Sequence, residues 1–246
     1  MLHKQYTLEK FKEGHTGKGF VVEAPKLEFK KPVFKKTLDL PKASTVPVAK
    51  EYLEQRKLNP EKFYFADKFK EWTNTQKQTF NTIGRDECRI IIPMYDKDNN
   101  LIGFQGRSLV PNSVKYITVM LDEEAPKIYG LNEINDKLPI YVVEGPFDST
   151  FVNNSVALCG SDGNLDCLKG SDIIYIYDNE PRNKEIVRRI GNTIDRGYKV
   201  TIWPNGILEK DINDMVLSGL NVMDVIKSNT YSGLEAKIKF NNWKKI

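Results

Sequence analysis

The sequence predicts an α/β protein, with a parallel sheet flanked by helices in its second half and a basic segment of mixed α+β character before it. Strand-like apolar runs alternate with helical segments from Leu138 onward, a pattern that favours a parallel sheet with right-handed crossovers. Two of these runs end directly in acidic clusters, Glu144-Gly145-Pro146-Phe147-Asp148 and Asp178-Asn179-Glu180. In an open α/β sheet the carboxyl ends of the strands form the ligand crevice, so both clusters belong at one rim. Charge distribution is the third observation. Residues 1–45 hold ten Lys against five acidic residues, whereas the whole chain carries only +4.

The elements follow in chain order. Residues 1–45 mix Lys, Pro and scattered hydrophobics without a sustained period, which predicts an extended arm or linker. Its positive excess suits contact with nucleic-acid phosphates; a solvated tail is the alternative. Residues 47–56 have helical apolar spacing with proline in the first turn, and Leu58-Asn59-Pro60 stops that helix. A further short element begins at Pro60. Residues 89–95 and 101–107 read as a hairpin across Asp96-Lys97-Asp98-Asn99-Asn100, a loop rich in turn residues. Residues 46–135 thus form one mixed α+β unit. From 136 to 230 the strands are 138–143, 155–159, 172–177 and 199–203, with a short helix over 149–153. Between the last two strands Ile186, Val187, Ile190 and Ile194 make one apolar helix face. Residues 211–228 read as one or two helices, and 231–246 as a basic tail.

Four carboxylates at one rim repel one another unless a divalent cation sits among them, so the clusters point to a magnesium site. Glu144 is followed at once by Gly145, which lets the backbone turn sharply and leaves room for a phosphate or metal. A helix beginning after Pro146 turns Asp148 toward the same rim; a helix N-cap is its alternative reading. Asp178 and Glu180, at i and i+2, share one side of extended chain, and ordinary loop acids are the alternative. A third cluster, Glu209-Lys210-Asp211-Ile212-Asn213-Asp214, follows the fourth strand and adds Asp211 to the same edge. Asp211 or Asn213 as a cap of the next helix is the competing reading there.

Other chemistries are poorly supplied. Cys88, Cys159 and Cys167 are too few and scattered for a disulfide framework or zinc ribbon. With only His3 and His15 available, zinc or Ser-His-Asp chemistry is not expected. No run approaches the ~20 apolar residues of a membrane span. The N-terminus lacks the apolar core of a signal peptide, so a cytoplasmic location is expected.

Glu-Gly-x-x-Asp followed by Asp-x-Glu, in this strand order, resembles the signature of the Toprim fold, shared by DnaG-type primases, topoisomerases and some nucleases. The upstream motifs are similar to those of the DnaG-type primase core. They are Arg89-Ile90-Ile91-Ile92-Pro93-Met94-Tyr95-Asp96, Ile102-Gly103-Phe104-Gln105-Gly106-Arg107, Lys115-Tyr116 and Tyr129-Gly130-Leu131. Lys210-Asp211-Ile212-Asn213-Asp214 resembles the motif closing the primase Toprim domain. The resemblance runs from about residue 47 to 225, and Asp178-Asn179-Glu180-Pro181-Arg182-Asn183 looks more like tailed-phage primases than bacterial ones.

The resemblance implies a Toprim domain behind a template- and nucleotide-binding subdomain, making short RNA primers on single-stranded DNA from ribonucleoside triphosphates. It implies Mg²⁺ or Mn²⁺, as two ions, held by Asp178, Glu180 and Asp211. Glu144 serves as ligand or as proton acceptor, and Asp148 orients the site. Arg107 and Lys115 become contacts for nucleotide phosphates or template backbone, aided by the Gly103–Gly106 turn, with Lys127 and Arg89 as further contacts. Solvent-exposed strand charges are the alternative for Arg107 and Lys115. Trp72, Tyr95 and Phe104 are candidates to stack on bases or to pack in the core. The Cys/His zinc module usual in this family has no ligands here, which implies a separate zinc-binding primase chain or a different way of starting. A replicative helicase is the other implied partner, and no membrane is. The rival readings are a Toprim nuclease, which needs no basic subdomain, and a non-catalytic nucleic-acid-binding subunit.

Overall fold

A computed structural model describes residues 38–160 and 165–246, which fall in one compact unit. The expected arm lies mostly outside the described residues, but its end belongs to the fold. Lys42 bridges Tyr64, and the Ala43 N–H donates to the Phe63 carbonyl at 3.0 Å. Ala43 itself is fully buried, and Leu38 and Leu40 pack against the core of the antiparallel sheet, so residues 38–45 belong to the fold.

An antiparallel sheet comes first, in the order β1-β2-β3-β4: β1 (Tyr64–Ala66), β2 (Arg89–Tyr95), β3 (Leu101–Ser108) and β4 (Tyr116–Met120). The predicted hairpin is β2–β3, paired from Arg89↔Ser108 to Pro93↔Phe104, with an irregularity at Met94/Tyr95. Its loop closes because Asp96 Oδ1 accepts from the Asp98 and Asn100 N–H groups, at 2.9 and 2.8 Å, while Asn99 takes a left-handed φ of 61°. Helix α1 (Pro47–Gln55) starts on a proline in its first turn and lays Ala49 and Leu53 into the core. Helix α2 (Phe69–Gln76), which the pattern did not reveal, covers the sheet with Phe69 against Phe104.

The second sheet has the order β10-β9-β8-β6-β7-β5. Its strands are β5 (Ile128–Tyr129), β6 (Ile140–Val143), β7 (Ser155–Leu158), β8 (Ile173–Tyr175), β9 (Lys199–Thr201) and β10 (Thr230–Tyr231). The four central strands are parallel and both edges are antiparallel. The β6–β7 connection runs to one side and the β8–β9 connection to the other, so the topological switch point lies between β6 and β8. Period-2 alternation puts Ile140 and Val142 on one face, with Ile128, Val156 and Leu168, and Val143 on the other. That other face receives α4 (Lys184–Asp195) through Ile186, Val187, Ile190 and Ile194, the predicted stripe. Helices α5 (Ile212–Leu217) and α6 (Val222–Ser228) complete the layer.

Two expectations are corrected. The short helix expected over 149–153 is α3 (Pro146–Ser149), begun early by a proline in its first turn. Residues 231–246 are not a tail. They hold the end of β10 and helix α7 (Gly233–Trp243), whose Ala236, Phe240 and Trp243 enter the main core.

Candidate active site

The rim at the switch point is built from three chain segments. Glu144 leaves the end of β6, and Asp148 follows on α3. A Cβ at Gly145 would sit 2.8 Å from Asp148 Oδ2, so a side chain there would push the Asp148 carboxylate from its place over the turn. Asp178 and Glu180 follow β8, where the extended chain runs on and the Ile176 N–H still donates to the Val142 carbonyl at 2.8 Å. Asp211 opens α5, accepting from the Asp214 N–H at 2.8 Å. The N-cap reading of Asp211 therefore holds. That of Asp148 does not, because Gly145 is the residue at the cap of α3 and Asp148 Oδ1 accepts instead from the Asn213 N–H at 3.0 Å.

The five carboxylates share one electrostatic neighbourhood. Burial pushes the Asp178 carboxyl up to about 8, and Glu144, Asp148 and Asp211 add repulsion that Lys210 only partly offsets. Asp148 rises to about 7, first through burial and then through Asp211, against the Asn213 N–H and Lys115. Burial also raises Glu144, although Arg189 acts the other way. Cations answer at two positions: Arg189 Nη1 pairs with Glu144 Oε1, and Lys210 Nζ lies 3.3 Å from Glu180 Oε1. The Asp178 N–H approaches Glu144 Oε2 at 3.4 Å.

With the carboxylates held by these partners, no three acidic, histidine or cysteine side chains among the described residues converge tightly enough to grip an ion as they stand. The donor set nevertheless fits a hard divalent cation. It consists of oxygens alone, and burial, with mutual repulsion added, drives two members toward their neutral forms.

One basic residue beside the antiparallel sheet, Lys115, reaches this rim, and two more lie near it. Exposed Lys115 is close enough to lower Asp148, and the Arg107 guanidinium lies 4.9 Å from the Tyr116 ring and 5.9 Å from the Tyr52 ring. Exposed Lys127 sits at the carboxyl end of β7, where its carbonyl accepts from the Cys159 N–H at 2.9 Å.

Other predicted contacts have interior roles instead. Arg89 is 2% exposed, donating to the Gly106 carbonyl at 2.8 Å and pairing with Glu87. A Cβ on Gly106 would meet the Phe69 ring at 2.5 Å, and one on Gly103 the Val119 carbonyl at 2.7 Å, so these glycines serve sheet packing rather than a ligand. Phe104 is fully buried against Trp72 at 4.7 Å, as the core reading has it.

Sequence reasoning missed three residues that hold the rim. Arg189 pairs with a glutamate 45 positions away, and nothing local marks it. Arg56 donates to Asn213 Oδ1 at 3.0 Å and accepts from Asn213 Nδ2 at 2.8 Å, tying α1 to the third acidic cluster. Asn179, within the second cluster, spends its amide on backbone carbonyls of that third cluster and the residues leading into it.

No family model matches the chain. It is 31% identical over 262 aligned positions to the DNA primase of Enterobacteria phage T4, covering 100% of this chain and 75% of that protein. The DnaG primase catalytic domain bound to single-stranded DNA has the same fold, with TM-score 0.60 and 20% identity over 82% of this chain and 78% of that one. The RNA polymerase domain of Mycobacterium tuberculosis DnaG aligns at 0.58, 18% identical, over 75% and 76%. The zinc-binding and RNA polymerase domains of Aquifex aeolicus primase align at 0.56 and 22%, over 74% of this chain and just 56% of that longer one. Similarity along the whole of this chain to the phage T4 protein, on the fold of the DnaG catalytic cores, places the chain in the DNA primase family.

Proposed function

We propose that the chain makes short RNA primers on single-stranded DNA by metal-dependent transfer of ribonucleotides to a 3′-hydroxyl. One observation supports this most: a crowded carboxylate rim at the switch point has Lys115 beside Asp148, with Arg107 against the neighbouring Tyr116 ring. Asp178, Glu180 and Asp211, with Glu144, are the oxygen donors for Mg²⁺ or Mn²⁺, as two ions. Bound there, such ions offset phosphate charge and acidify the attacking hydroxyl.

The chain's own groups do the rest. Glu144 either joins the ligands or takes the hydroxyl proton on Oε2, the oxygen turned away from Arg189. Asp148, fixed by the Asn213 N–H, orients the rim. Lys115 and Arg107 hold phosphates of nucleotide or template, and Lys127 extends that positive border along β7. Base identity comes from template pairing, so the protein reads backbone and shape with salt-sensitive affinity.

A replicative helicase and a separate zinc-bearing primase chain are the proposed partners at initiation; the Aquifex relative carries a zinc-binding domain beside its polymerase domain. No described helix is long and apolar enough to cross a membrane. The likeness to a phage protein supports the cytoplasm of a bacterial host as its setting.

The test is extension of a pre-annealed primer alongside unprimed synthesis, with labelled ribonucleotides and Mg²⁺ or Mn²⁺. Synthesis that disappears in Glu144→Gln and Asp178→Asn supports the reading. Full synthesis by both variants would remove the assigned site, and degradation of the template without synthesis would replace the polymerase with a nuclease.

A further inference from the structure

Asn179 lies between two proposed ligands, Asp178 and Glu180, and its N–H and both side-chain polar atoms are engaged. Its N–H donates to the Lys210 carbonyl at 2.7 Å. Its side-chain Nδ2 donates to the carbonyls of Ile207 and Glu209, both at 3.0 Å. Its Oδ1 accepts from the indole Nε1 of Trp243 at 3.1 Å. One residue thus clips the loop after β8 to the segment leading into Asp211, and fastens both to the final helix.

The chemistry of these partners leaves the amide one orientation. Backbone carbonyls only accept, and an indole N–H only donates. Nδ2 must face residues 207–209, and Oδ1 must face α7. Trp243 is in turn held firmly: it is 4% exposed and lies alongside Phe240, 6.3 Å between ring centroids. Just beyond it, the Lys245 N–H donates to the Pro181 carbonyl at 2.8 Å, a second tether one residue past Glu180.

We propose that Asn179 and Trp243 are positioning residues, which together fix the separation between the Asp178/Glu180 pair and Asp211. The chain's last helix is then a strut of the cation site. This rests on the reading that these carboxylates hold the cations. Neither residue touches the ion or substrate. Both act by keeping two loops from different strands in one register, and divalent sites are sensitive to such spacing because the ligands must meet a fixed geometry.

The experiment uses the full 246-residue chain. Mn²⁺ binding is measured by calorimetry without nucleotide, and the half-saturating Mg²⁺ is measured in primer extension. Single-stranded DNA affinity in chelator and the melting temperature are followed beside them. Trp243→Phe keeps an aromatic ring in the core while removing the N–H donor with the pyrrole half of the indole, so it should weaken Mn²⁺ by about three- to tenfold, on the scale of one lost hydrogen bond. Asn179→Ala should weaken it further, and adding Trp243→Phe to Asn179→Ala should change little more, because the indole acts only through that amide. Leu234→Ala, on the exposed side of the same helix at 74% exposure, should leave Mn²⁺ affinity unchanged. DNA affinity in chelator should not move in any variant.

Unchanged Mn²⁺ affinity in Trp243→Phe and Asn179→Ala would overturn the inference, even if both melt earlier, since that pattern belongs to packing alone. Its failure is separable from failure of the underlying reading. If Asp178→Asn still binds Mn²⁺ and extends primers, the carboxylates are not the ligands. If Asp178→Asn is dead while the positioning variants bind normally, only the strut is wrong.

Discussion

The two sheets treat charge in opposite ways. In the antiparallel sheet Arg89 is buried, yet Glu87, Ser113 and the Gly106 carbonyl surround it. Glu87 in turn sits below the usual carboxylate range: burial works against this, but its hydrogen bond from Ser113 and the charge of Arg89 outweigh it. On the parallel sheet, Glu144, Asp148, Asp178, Glu180 and Asp211 gather with Arg189, Lys210 and Lys115 as the nearby cations. The difference separates two kinds of charge. A charge answered by its own fold is a structural member, whereas a cluster left under-answered supports the proposed cation site.

The sharpest break of this contrast is removal of one charge from each side. Asp178→Asn should reduce primer extension at least about a hundredfold while leaving the melting temperature equal or higher, because it removes repulsion. A collapse of stability in that variant would mean the rim is structural after all. Arg89→Leu should do the reverse, destabilising by about 3–5 kcal/mol in denaturant titration because Glu87 is left without its partner. Loss of activity from Arg89→Leu with unchanged stability would return Arg89 to the template-contact role.

The pH response sharpens the comparison next. Asp178 and Asp148 have folded values of about 8 and about 7 against an ordinary 3.8. Folding therefore favours their protonated forms. That contribution to stability is full below about pH 4 and is lost as the pH rises through 7 and 8. Cation-free protein should melt about 10 °C lower at pH 9 than at pH 6, and Mg²⁺ should raise the melting temperature more at pH 9. Equal stabilisation by Mg²⁺ at both pH values would contradict the crowding described for the rim. The smallest effect is expected at Lys115→Ala, a several-fold rise in nucleotide KM with kcat little changed, about 1 kcal/mol for an exposed charge. A fall in kcat alone would place Lys115 at the reacting phosphate instead.

Much of this was legible from the residues, for identifiable reasons. β6 and β8 are β-branched runs ending in acids, so strand and site announce each other in one stretch. The stripe at Ile186, Ile190 and Ile194 is equally local. Helix α7 carried a signal too: Ala236, Phe240 and Trp243 recur at i, i+4 and i+7. It was hidden because Lys237, Lys239, Lys244 and Lys245 dominate the composition of that segment. Gly103 and Gly106 were misread for a different reason. A glycine reports that something approaches the backbone, but not whether the visitor is a ligand or Phe69. Arg89 has the same ambiguity, since its identity does not reveal which side of the sheet receives it. Asn179 and Arg189 were beyond reach, because their partners lie 64 and 45 residues away.

Phe147, the residue before Asp148, inserts into the core beneath the antiparallel sheet, edge-on to Phe63 with 5.3 Å between ring centroids. The element that carries Asp148 is thereby also a rivet. A fragment ending near residue 135 would carry a hole the size of a phenyl ring, and its complement would present that ring to water. Neither sheet is a portable module, and exchange of parts between relatives must move the rivet and its socket together.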